Sequence, residues 1–78
     1  MFTITAEVTD STTNEADQFQ KAVVHVTGQN MSDELVFEVA KQAFALEAGW
    51  DVTDVARSIT DWDIVEAGTS GSLVSLTF

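Results

Sequence analysis

The sequence predicts an α+β fold in the order ββαββ, with one long helix packed on one face of a four-stranded antiparallel sheet. Three observations lead there. Ser32 to Trp50, SDELVFEVAKQAFALEAGW, is long, periodic and free of breakers, and alternating segments flank it on both sides. The chain has 78 residues, 45% of them hydrophobic, which allows a single compact domain over residues 1–78 with a small core. Cysteine is absent, so neither disulfides nor a cysteine zinc site can supplement that core.

Phe2, Ile4, Ala6 and Val8 alternate with Thr3, Thr5, Glu7 and Thr9, as a half-buried first strand does. Asp10 to Gln18 reads as a polar loop. Phe19 to Thr27 is the second strand, with Ala22, Val24 and Val26 on one face. Phe19 has the wrong parity to join them, which predicts a bulge near Gln20 or Lys21. Together these make a hairpin.

Gly28 to Met31 turns the chain into the helix. Ser32 is its expected cap, Asp33 and Glu34 favour the positive end of its dipole, and Gly49 is its expected left-handed end. At about 100° per residue, Leu35, Leu46, Val39, Trp50, Ala43 and Val36 fall on one arc, which is the expected buried face. Ala40, Phe44 and Phe37 extend that arc. Phe37 and Phe44 lie at its margin, where a contact outside the main core is expected. Asp51 to Ser58 fits either a short helical turn capped by Asp51 or an irregular connection. Ile59 to Ala67 is the third strand, with Trp62 and Ile64 inward and Asp61, Asp63 and Val65 outward. Gly68 to Gly71 is a turn, and Leu73 to Phe78 is the fourth strand, with Val74, Leu76 and Phe78 inward.

Charge excludes more than any motif does. Thirteen acids against three Lys and Arg residues give a formal net charge of −10. A nucleic-acid backbone or an anionic membrane repels such a surface, so a basic protein is the expected partner. Solubility or salt adaptation explains the same charge equally well. No run approaches the roughly 18 apolar residues of a membrane span. The alternating N-terminus is unlike a signal peptide, and a cytoplasmic location is expected.

No enzyme, cofactor or metal site is expected. His25 is the sole histidine, no nucleophile elbow exists, and the four glycines fall at turns and the helix end. Asp61 and Asp63 are spaced to share a cation, yet the same spacing arises on any polar strand face. The acids instead fall into two groups. Asp51, Asp54, Asp61, Asp63 and Glu66 lie within sixteen residues, opposed by Arg57, and Glu7, Asp10, Glu15 and Asp17 form the second group. The first group, with Phe37 and Phe44 on the helix, makes up the predicted protein-binding residues.

In size, acidity, lack of cysteine and single α+β unit, the chain resembles the small inhibitors encoded by phages and other mobile elements, of the anti-CRISPR and anti-restriction kind. That resemblance rests on no shared motif and transfers no residue role. It implies a non-enzymatic module acting in a host cytoplasm, which blocks a basic nucleic-acid-binding protein or complex and in some cases mimics DNA. The alternative is a small homo-oligomeric structural or assembly protein that uses the helix face, through Phe37 and Phe44, as a homodimer interface.

Overall fold

A computed structural model describes residues 3–13, 19–28, 31–66 and 71–78. The element order is β1 (Thr5–Thr13), β2 (Phe19–Thr27), α1 (Asp33–Ala48), α2 (Val52–Ser58), β3 (Asp61–Glu66) and β4 (Ser72–Thr77). The fold is α+β, with a four-stranded antiparallel sheet ordered β1-β2-β4-β3 and two helices. The expected ββαββ order is therefore corrected to ββααββ. The second helix forms because Asp51 caps it, its Oδ1 accepting from the Thr53 amide at 2.8 Å, and because Val55 is driven into the core.

Two hairpins supply the sheet, and β2 pairs with β4 to join them. β2 has the expected bounds, whereas β1 runs on to Thr13 through residues expected to form a loop. The register explains the difference. It shifts between Val8 and Asp10, so Thr9 is an extra residue, and the Thr9 hydroxyl donates to the Val23 carbonyl at 3.1 Å. Pairing then resumes with Asp10, Ser11 and Thr12 opposite Val23, Ala22 and Lys21. A second shift leaves Gln20 without a partner on β1, though its carbonyl accepts from the Phe78 amide at 3.0 Å, and turns Phe19 to the core side, as its parity required. The predicted turn around Gly68 lies largely outside the described residues.

Ala22, Val24, Val26, Val74 and Leu76 form the buried floor of the sheet. α1 lies against β1, β2 and β4, and α2 packs along α1. Ser32 caps α1 through its hydroxyl, which accepts from the Leu35 amide at 3.2 Å, and Gly49 ends it with φ 75°. The buried face of α1 overlaps the expected arc, since Val36 is buried and Val39, Ala43 and Trp50 pack partly buried against the core. It is rotated, however, towards the residues that extend that arc. Val36, Ala40 and Phe44, at i, i+4 and i+8, point into the core, while Leu35 is exposed and Leu46 is 87% exposed. Ala40 permits a close approach to the sheet, and the Phe44 ring fills the space beyond it. Phe44 is 1% exposed, so it is core and offers no margin to a partner. Its ring meets Phe19 at 5.0 Å, Phe78 at 5.1 Å and Trp50 at 5.9 Å between centroids. This aromatic cluster ties the start of β2, the middle and end of the α1 region, and the last residue into one unit. Such ring pairs add about 0.5–1.5 kcal/mol each beyond the area they bury. Among the described residues, no helix is long and apolar enough to cross a membrane.

Candidate protein-binding surface

Strand alternation and the second helix divide the five carboxylates predicted to share a face. Asp51 and Asp54 belong to the helix layer, as the cap and first turn of α2, and line a cleft of about 410 Å³ with Trp50 and Arg57. Asp61 and Asp63 lie on the outer face of β3, the side away from α1. Glu66 has the parity of Trp62 and Ile64, so it lies on the helix side instead. The single contiguous patch expected from sequence proximity is thus corrected. Neighbours along a strand are not neighbours on a surface.

What the sheet does assemble is a different set of acids. Cross-strand pairing places Asp10, Val23, Ser75 and Asp63 in one row across the outer face. The adjacent rows are Glu7, His25, Leu73 and Val65 on one side, and Thr12, Lys21, Thr77 and Asp61 on the other. Carboxylates therefore stand on both outermost strands, Glu7 and Asp10 on β1 and Asp61 and Asp63 on β3, with β2 and β4 between them. Three strand spacings separate these rims, about 14 Å. Simple alternation would have sent Asp10 to the face opposite Glu7. The extra residue Thr9 returns it to Glu7's side, and nothing local in a run of polar residues marks that bulge.

β3 is an edge strand, and its two aspartates are held in place by their own backbone. Asp61 Oδ1 accepts from the Trp62 amide at 2.9 Å, and Asp63 Oδ1 accepts from the Ile64 amide at 3.0 Å. Amides used in this way are closed to an incoming strand, and the adjacent charge protects the edge further. Each carboxylate has its second oxygen left over, with its direction largely set in advance. Such preorganisation lowers the entropy cost of binding.

The helix-side flank of β3 is less completely covered. α1 sits mainly over β1 and β2, so Trp62, though inward-facing as expected, is 41% exposed. Phe37 reaches from α1 to stack on it, with centroids 4.2 Å apart and planes 12° from parallel. Phe37 thus packs partly buried against the core and meets Trp62 at its margin. The Lys41 ammonium lies 4.7 Å from the centre of the Phe37 ring and pairs with Glu38 at 2.9 Å. Beside this pair opens a cleft of about 400 Å³, lined by Phe37, Lys41, Ala56, Ile59, Thr60, Asp61 and Trp62.

Among the described residues, no three histidine, aspartate or glutamate side chains come together as a metal site. Comparison of the chain with protein-family models, with curated proteins and with solved structures finds no significant match.

Proposed function

We infer that the chain is a non-enzymatic binding module that presents the acidic outer face of its sheet to a basic, nucleic-acid-binding protein and occupies that protein's nucleic-acid site. The observation that carries this is the pair of acidic rims, Glu7 and Asp10 on one side and Asp61 and Asp63 on the other. Their separation of about 14 Å compares with a DNA major groove about 12 Å wide between its two backbones. Along β3 the two aspartates are about 6.7 Å apart, close to the rise along the helix axis of two phosphates of one DNA strand, about 3.4 Å each. Lysines and arginines spaced for two phosphate rows would meet carboxylates at similar spacing. A role as a phage-type inhibitor follows from this mode of action and from the chain's small, acidic, cysteine-free character.

The test is a triple variant, Asp10→Asn, Asp61→Asn and Asp63→Asn, compared with the parent as immobilised bait in cell lysate. Asparagine keeps an oxygen for the Trp62 and Ile64 amides, so the fold is expected to persist. Its melting temperature in dilute buffer should be equal or higher, because like charges repel on the parent's outer face. Basic nucleic-acid-binding proteins retained by the parent at low salt should be lost by the variant, and lost by the parent as salt screens the charges beyond about 8–10 Å. Equal retention by the two proteins would refute the role of the rims. A chain that folds only at high salt would show the acids to be salt adaptation instead.

A second arrangement, self-association through α1, is favoured by Leu46, which is 87% exposed on the same arc as Leu35. It would use these leucines and not Phe44. Sedimentation at several concentrations separates it from the first, which requires no self-association.

A further inference from the structure

We propose that the cleft beside Trp62 receives an arginine side chain from the basic partner, with the guanidinium stacked on the indole and paired with Asp61. This deepens the function proposed above and rests on it for the basic character of the partner. Phe37 covers one face of the Trp62 ring at 4.2 Å, yet 41% of the residue remains in solvent. An exposed tryptophan supported from behind by a second ring is a rigid platform. A flat cation gains more from it than from a lone surface aromatic, because little side-chain freedom remains to be lost.

Asp61 supplies the second half of the site. It lines the cleft with Trp62, and its Oδ1 is committed to the Trp62 amide at 2.9 Å. That bond turns the carboxylate back along the open edge of β3, against the Trp62 backbone, and leaves Oδ2 to accept from a guanidinium N–H. Lys41 also lines the cleft, but its ammonium lies over the Phe37 ring and is paired with Glu38 at 2.9 Å. Its charge is therefore already offset by Glu38. A backbone strand is a poor occupant, because the outward amides of Trp62 and Ile64 are already engaged. A side chain entering from beyond the edge has no such obstacle. Arginine is preferred to lysine because its planar guanidinium stacks and bonds a carboxylate together, whereas an ammonium is a compact, strongly hydrated point charge.

The experiment compares two synthetic peptides of equal length and charge, one carrying arginine and the other lysine at the same positions. Binding is followed through the indole N–H signal of Trp62, with Trp50, partly buried against Phe19, Phe44 and Phe78, as the comparison signal. The arginine peptide is expected to bind about fivefold more tightly or better, and to shift the Trp62 signal while leaving Trp50 nearly unmoved. Trp62→Ala should bring the two peptides to within about twofold of each other, weak charge-driven binding remaining. Asp61→Asn, which keeps the amide bond and hence the fold, should reduce the arginine preference even if Trp62→Ala folds poorly. Equal affinity for the two peptides with shifts confined to the outer sheet face would overturn the arginine site and leave the acidic-face function standing. Binding of neither peptide at low salt would overturn both.

Discussion

Phe44→Ala is expected to cost about 3–5 kcal/mol, the range for emptying a buried aromatic site. The total stability of a domain of this length is only about 4–12 kcal/mol. Phe44 is 1% exposed, and its ring touches three others that come from three separate parts of the chain. Phe19 and Phe78 lie near the ends of neighbouring strands, and Trp50 follows the end of α1. Removal of the ring leaves a void that these partners cannot close without breaking their own contacts, since each is anchored to a different element. Thermal unfolding followed by circular dichroism should show the midpoint falling by about 15 °C or more, given 4–8 °C per kcal/mol in domains of this size. Trp50 emission should move towards that of the unfolded chain at a lower denaturant concentration. A loss below about 1 kcal/mol would mean that Phe44 is a margin residue after all, because surface substitutions stay in that range.

Gly71→Ala is the second large effect, expected to cost about 2–4 kcal/mol from backbone strain and overpacking together. Gly71 has φ 114°, a conformation that side chains rarely adopt. An added Cβ would be driven into the Val26 carbonyl oxygen and would lie 3.1 Å from the Thr27 Cα, both backbone atoms of β2 that cannot swing aside. Gly71 immediately precedes β4, which pairs with β2 to join the two hairpins, so any displacement there is passed to the pairing of Ser72 with Val26. Gly49 provides the control. Its φ is 75°, but a Cβ there meets nothing within 4 Å. Gly49→Ala should therefore cost only the left-handed backbone term of about 1–2 kcal/mol. Equal losses at the two positions in denaturant titrations would show that φ alone matters and that the close approach to β2 does not.

Much of the architecture was legible because its signals are local. Ser32, Asp33, Glu34 and Gly49 mark both ends of α1 by hydrogen bonding and dipole, and the structure uses Ser32 and Gly49 as expected. Alternation placed Val24, Val26, Val74 and Leu76 correctly, and the odd parity of Phe19 announced a bulge at Gln20. What failed depended on partners distant in sequence. The buried arc of α1 was centred on the side of Leu35 and Leu46, because hydrophobicity alone cannot say that a small Ala40 admits the sheet while Leu46 stays in water. Asp10 looked like loop, since its place in the outer row depends on an extra residue at Thr9 that only pairing with β2 reveals. Asp51, Asp54 and Glu66 were grouped with Asp61 and Asp63 by proximity in the chain, which a helix and a strand of alternating faces then undid.

The central claim is that the outer face of the sheet takes the place of nucleic acid on a basic protein. The most direct test uses a nucleic-acid-binding protein retained by the parent chain and lost by the Asp10, Asp61 and Asp63 triple variant. Its affinity for duplex DNA is measured at fixed salt while the chain's concentration is raised. Competition for one site predicts that the apparent Kd for DNA increases linearly with chain concentration without limit, and that the triple variant has little effect. A Kd that stays constant or reaches a plateau, with DNA and the chain bound together in one complex, would contradict the account.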